Sequence, residues 1–173
     1  MQEMKKKLPI DIMTESCGVT TVRGDIFQKA EDFWNKGELC YIAHQCNCES
    51  KIAKGLAKDV FDRFPGADIY RDGSERVMGN VIVKGNIINI CAQYNRGRAK
   101  IFGIDTDITR EQAFSEALEK LPSCLHSTIQ SVKILFPWKI GCGYGGGDWE
   151  HYKAMIHTFA TNHPQFSVFI VQL

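Results

Sequence analysis

Gly141-Cys142-Gly143-Tyr144-Gly145-Gly146-Gly147-Asp148-Trp149 is the stretch on which the reading of this chain turns. The apolar run Lys133-Ile134-Leu135-Phe136 enters it through Pro137, and a helical pattern leaves it from Asp148 to about Ala160. Five glycines in the seven residues 141–147 weaken a fold unless the backbone needs positive φ or close approach there. A strand, a glycine-rich turn and a helix start together offer free N–H groups and the positive end of a helix dipole to an anion. A phosphorylated small molecule is therefore the first candidate ligand.

The elements around the turn alternate. Val19 to Arg23 is strand-like and stops at Gly24-Asp25, Ala30 to Asn35 reads as a short helix, and Leu39 to His44 as a buried strand. Gln45 to Ile52 reads as a polar loop, and Ala53 to Phe64 has helical spacing that ends before Pro65-Gly66. Val77–Val83 and Ile87–Ala92 are rich in β-branched residues, with Gly85-Asn86 between them as a hairpin turn. After a long loop, Thr109 is expected to cap an amphipathic helix bearing Ala113, Phe114, Ala117, Leu118 and Leu121 on one face. Val132–Phe136 and Phe166–Leu173 are the last strands. This order predicts an α/β domain, a mixed sheet with helices on both faces. Residues 1–16 are expected to be a tail or a first strand, and residues 17–173 a single domain.

Composition narrows the function classes. A chain of 173 residues is long enough for one domain with a full core. A formal net charge of +1 argues against a surface built for nonspecific nucleic-acid binding. Lys5-Lys6-Lys7 reads as a solvated run, and Leu8 to Met13, broken by Pro9 and Asp11, is neither a signal peptide nor a membrane span. Seven cysteines, several within apolar runs, point to reduced thiols in a cytoplasmic setting. His44-x-Cys46-x-Cys48 does not have the spacing of a common zinc site, so no metal is expected.

Several phosphate chemistries fail on the residues. Gly141-x-Gly143-x-x-Gly146 matches a dinucleotide fingerprint, but the strand after it ends as Ile170-Val171-Gln172-Leu173 with no carboxylate for a ribose. Gly147-Asp148-Trp149 lacks the Gly-Lys-Ser/Thr of a P-loop, and the position six after Cys142, where a cysteine phosphatase needs Arg, is Asp148. No Gly-x-Ser-x-Gly elbow is present.

Taken together, the motifs resemble those of the macrodomain family, whose fold is a three-layer α/β/α sandwich that binds ADP-ribose. Gly24-Asp25-Ile26-Phe27, Ile42-Ala43-His44-Gln45-Cys46-Asn47-Cys48 with Ile52-Ala53-Lys54-Gly55-Leu56-Ala57, Asn89-Ile90-Cys91-Ala92-Gln93-Tyr94, and Pro137 through Trp149 occur in the family's order. His-x-Cys-Asn-Cys with Gly-Gly-Asp-Trp looks most like the branch of small ADP-ribose-1″-phosphate phosphatases. That resemblance implies a metal- and cofactor-independent hydrolase, active as a monomer, that releases phosphate from ADP-ribose 1″-phosphate. Alternatives are removal of ADP-ribose from protein or nucleic acid, and a module that only binds ADP-ribose. The Lys-dependent route of the de-ADP-ribosylating branch is disfavoured, because Tyr94 or Asn95 and Gly145 stand where that branch has Lys and Asp.

The resemblance implies a role for each candidate, and each has a plainer alternative. Asp25, with Ile26 beside it, would accept from the adenine amino group, or else order its own turn. Asn47 would meet ribose hydroxyls, or else order its loop. Gly55 would let backbone approach the ligand, or else only begin a helix. His44 would act as base, nucleophile or cationic partner of the terminal phosphate, or else be packed. Asp148 would be an acid or base, or else a helix cap. Gly141, Cys142, Gly143, Tyr144, Gly145, Gly146 and Gly147 would line the diphosphate, Cys142 to Gly147 as N–H donors. Tyr94 or Tyr144 would stack on a ribose or close the site. Trp138 and Trp149 are expected in the core, and Arg96, Arg98 and Lys100 would attract a 1″-phosphate, or else form a solvated basic loop.

Overall fold

A strand with helices on both sides must be apolar on both faces, and Cys40–Asn47 and Ile87–Gln93 are among the runs that satisfy this. They pair in parallel in the computed structural model, which describes residues 12–16, 18–125 and 131–173. The Lys5–Lys7 run and Cys17 lie outside the described residues.

Seven strands form one sheet in the order β1-β2-β7-β6-β3-β5-β4. They are β1 (Ile12–Ser16), β2 (Val19–Arg23), β3 (Cys40–Asn47), β4 (Val81–Lys84), β5 (Ile87–Gln93), β6 (Val132–Pro137) and β7 (Phe166–Gln172). β1 on β2 and β4 on β5 are antiparallel edge pairs, and the other pairings are parallel. Helices α1 (Ile26–Asn35) and α2 (Gly55–Arg63) cover one face; α3 (Asp107–Cys124) and α4 (Trp149–Asn162) cover the other. Alternation along β3 separates the two cores: Ile42 and Cys46 face α1 and α2, whereas Ala43 faces α3 and α4. Phe114 meets Tyr152 edge to face at 4.9 Å and locks α3 to α4. The result is the expected α/β/α sandwich with a mixed sheet. No helix among the described residues is long and apolar enough to cross a membrane.

Several boundaries differ from the sequence reading: the strand expected at Val77–Val83 is Val81–Lys84, and the helix expected at Ala53–Phe64 is Gly55–Arg63. β3 does not stop at His44 but runs through the polar residues to Asn47, because its ladder with β5 continues to the Asn47–Gln93 pairing. α1 starts at Ile26 with Asp25 as its cap, four residues earlier than the apolar spacing implied. α3 is capped by Thr106, not Thr109; Thr109 is the third helical residue of a reciprocal capping box with Thr106.

The loop between β5 and α3 is held by a buried ion pair. Arg110 Nε donates to Asp105 Oδ1 at 2.7 Å and Arg110 Nη2 to Asp105 Oδ2 at 2.8 Å. Nη1 reaches the carbonyls of Gly97 (2.7 Å) and Gly145 (3.3 Å), and Nη2 reaches that of Asn95 (3.2 Å). The Asp105 carboxylate also accepts the N–H groups of Tyr94 and Asn95. Burial pushes the Asp105 carboxyl up, but the donors from Arg110, Asn95 and Tyr94 outweigh it and hold it below its ordinary range. Removing one member of such a pair strands the other charge. Arg110→Met should therefore cost about 3–5 kcal/mol in urea unfolding, and a loss under 1 kcal/mol would show that the loops hold without it.

Candidate functional site

Parallel strands leave their carboxyl ends at one edge of the sheet, and here the ends of β3, β5 and β6 open into a cavity of about 720 Å³. β3 supplies His44, Gln45 and Asn47; β5 supplies Gln93; the segment after β6 supplies Trp138, Lys139, Ile140, Gly141, Gly143, Tyr144 and Gly145. Lys54, Leu56 and Ala57 come from the start of α2, Tyr70 from beyond its end, and Arg96 and Gly97 from the loop after β5. Three of the lining residues are cations and none is a carboxylate, in a chain whose net charge is only +1. Such a wall attracts an anion.

The glycine turn is folded on itself. Cys142 N–H donates to Lys139 O, Gly146 N–H to Gly143 O and Gly147 N–H to Gly141 O. Those three amides, expected as ligand donors, are already engaged within the turn. The N–H groups of Gly143, Tyr144 and Gly145 have no protein partner among the described residues, and all three residues line the cavity. A Cβ on Gly145 would lie 2.6 Å from Gly141 O, so this crown requires glycine. Gly141 has φ 74° and sits against Gln45 and Tyr152, again leaving no room for a side chain.

The helix start that serves the cavity is not the one the sequence suggested. Asp148 caps α4: its Oδ1 accepts Glu150 N–H at 3.0 Å, and its Oδ2 lies 3.7 Å from His151 Nε2. Asp148 does not line the cavity, and its own charge already answers the α4 dipole. The start of α2 has no side-chain cap: Lys54 is at its N-cap without such a bond, and Gly55 follows at φ 59°. The ring of Tyr144 rests on Gly55, where a Cβ would lie 2.9 Å from Cε2.

His44 is buried. Its Nε2 lies 2.6 Å from Asn89 Oδ1, and its ring meets Phe61 edge on at 5.2 Å. Asn89 Nδ2 donates to Ala67 O and Ile82 O, so Asn89 Oδ1 is the acceptor and His44 Nε2 carries the proton. Burial, only partly opposed by the Asn89 bond, takes the imidazole down to about 4. His44 is thus neutral at pH 7, with its lone pair on Nδ1, and the cations that face the cavity are Lys54, Arg96 and Lys139.

The other candidates fall on two sides. Asn47 lines the cavity while its Oδ1 accepts Glu49 and Ser50 N–H, ordering the loop as well. Asp25 caps α1 through Gln28 N–H, Ile26 is buried beneath that helix, and neither lines the cavity; nor does Tyr94. Cys142 bonds Ile140 O and burial pushes its thiol up to about 11, which leaves it protonated. Among the described residues no three His, Cys, Asp or Glu side chains are gathered as metal ligands.

Sequence reasoning missed Gln45, Lys54, Tyr70, Gln93, Trp138 and Lys139. Gln45 Nε2 donates to Gln93 Oε1 at 2.8 Å beneath the turn, a pairing set by strand register. Trp138, expected in the core, is 39% exposed on the cavity wall because its N–H bonds Val171 O and turns the chain outward. Lys139 follows at φ 59°, a conformation unusual for a side-chain-bearing residue, with its ammonium 4.4 Å from the Trp138 ring. The neighbouring Pro137-Gly141 context was the available signal.

No protein-family model and no curated protein matches the sequence. Solved structures do. A protein of unknown function from Bacteroides thetaiotaomicron has a TM-score of 0.66 at 18% identity, covering 90% of this chain and 98% of its own. The macrodomain of Mycobacterium tuberculosis DarG has a TM-score of 0.62 at 18% identity, covering 88% of this chain and 96% of its own. The likeness at this identity is one of fold: the chain has the macrodomain architecture.

The His44 geometry has a signed consequence for pH. Unfolded, the imidazole takes its proton near 6.5; folded, it resists until about 4. Stability is complete above 6.5 and drains away as pH falls through this window, by on the order of 3 kcal/mol. Urea midpoints from pH 7.5 to 4 should fall more steeply for wild type than for His44→Gln, and parallel curves would remove this source.

Proposed function

We propose that the cleft binds ADP-ribose or a close derivative, with the diphosphate on the N–H groups of Gly143, Tyr144 and Gly145. The observation that carries this reading is a cavity lined by three cations, free backbone donors and no carboxylate. Its macrodomain architecture and the order of sequence motifs support the same ligand class. Asn47 then meets the distal ribose, and Asp25 and Ile26, outside the cavity wall, serve at its adenine end.

The charge excess favours a ligand with more negative charge than ADP-ribose, which is the reason to keep the phosphatase reading. In it, water adds to phosphorus as the bond to the sugar oxygen breaks, and ADP-ribose and phosphate leave. His44 Nδ1 takes the water proton and returns it to the departing oxygen; Lys54, Arg96 and Lys139 offset the phosphoryl charge. Asp148 acts through the turn, as the cap that fixes the start of α4. The competing readings are release of ADP-ribose from protein or nucleic acid and binding without turnover. In this reading the protein is a cytoplasmic monomer that does not hold nucleic acid stably.

Calorimetric titration should give stoichiometric ADP-ribose binding, with Gly145→Ala weaker by about tenfold or more, ~1.4 kcal/mol. No heat with folded wild type would sink the ligand assignment. Phosphate release from ADP-ribose 1″-phosphate should persist with chelator and drop in His44→Gln, while ADP-ribose affinity stays near wild type. Binding without release would leave a reader or a de-ADP-ribosylating enzyme.

A further inference from the structure

The loop from β5 to α3 has a second character beyond its cavity wall. Asp105 accepts the N–H groups of Tyr94 and Asn95, its carbonyl takes Lys100 N–H at 2.7 Å, and Thr109 Oγ1 donates to Ile104 O at 2.9 Å. Between these anchors the chain loops out as Ile101-Phe102-Gly103-Ile104. Ile101 and Phe102 are each 86% exposed, Ile104 is 66% and Ile108 69%. Four large apolar side chains within eight residues, on a backbone pinned at both ends, form an exposed patch. A preorganised loop loses little entropy on docking.

The charges around the patch identify the kind of partner. Arg96, Arg98 and Lys100 stand exposed on its cavity side, with no acidic partner among the described residues. Asp107 is exposed on the α3 side, whereas Glu111, one turn further, is half-buried and accepts from His151 Nδ1 at 2.6 Å, so Asp107 carries that rim. An apolar centre between rims of opposite sign matches a polypeptide surface. A phosphate backbone or an anionic bilayer would be repelled at the acidic rim, and three of the four apolar residues are isoleucines without a face for base stacking.

We propose that Ile101, Phe102, Ile104 and Ile108 form a docking surface for a different polypeptide, one that presents apolar side chains to Phe102 and carboxylates to Arg98 and Lys100. The surface adjoins the mouth of the cavity through Arg96 and Gly97, and the inference does not depend on what occupies the cavity.

The full chain is panned against a random-peptide phage library, and enriched peptides are synthesised and titrated. Peptides pairing apolar with acidic residues should emerge, and Ile101→Ser/Phe102→Ser should weaken them about tenfold or more. Arg98→Glu/Lys100→Glu should weaken them also, and Ile104→Ser provides an independent single change. Circular dichroism melts should match wild type, since these side chains are exposed. The proposal is overturned by no enrichment or by peptides that bind the variants equally. Tip-dependent binding to phosphatidylcholine/phosphatidylglycerol vesicles or to poly(dT), or tip-dependent dimers in light scattering, would also overturn it.

Discussion

The buried Arg110–Asp105 pair holds the binding edge of this fold together. Helices and sheet are joined by two apolar cores, whereas the loops at the strand ends have little core of their own. One guanidinium meets the carbonyls of Asn95, Gly97 and Gly145 while its partner carboxylate gathers the amides of Tyr94 and Asn95. Two loops far apart in sequence thus share one buried charge pair, and both bound the cavity. An apolar replacement of equal volume would pack, yet it would leave those backbone groups without partners.

The glycine turn is tied into that arrangement. The turn satisfies its own later amides and its carbonyl at Gly145 is tied to Arg110, while the amides of Gly143, Tyr144 and Gly145, residues of the cavity wall, have no protein partner among the described residues. The cations Lys54, Arg96 and Lys139 reach the same space from three separate segments. Backbone donors and scattered cations, without a carboxylate, favour a polyanionic ligand through geometry as much as through charge. The neutral, buried His44 beneath this space contributes a lone pair and packing, not a positive charge.

Much of the fold was legible because local patterns agreed with it. The β-branched runs, the Gly85-Asn86 turn and the Asp148 cap each carry their structural meaning within a few residues. The errors arose where a distant partner overrode local preference. Gln45 and Asn47 look like loop residues, yet the β5 ladder draws them into β3. Thr109 looks like a cap, yet Ile104 O and Thr106 claim its hydroxyl inside the helix. Trp138 looks like core, yet the bond to Val171 turns it into the cavity.

By itself the sequence determined the alternation of elements, the α/β class and the presence of a glycine turn able to approach an anion, since spacing and glycine content are local properties. Tertiary structure alone decided which amides remain open, which helix start faces the cavity and which side chains carry its charge. Those outcomes depend on hydrogen bonds between residues tens of positions apart, such as Arg110 with Gly145 and His44 with Asn89. No local pattern encodes which of several donors finds its partner first, because that competition is settled by the packed neighbourhood of each group.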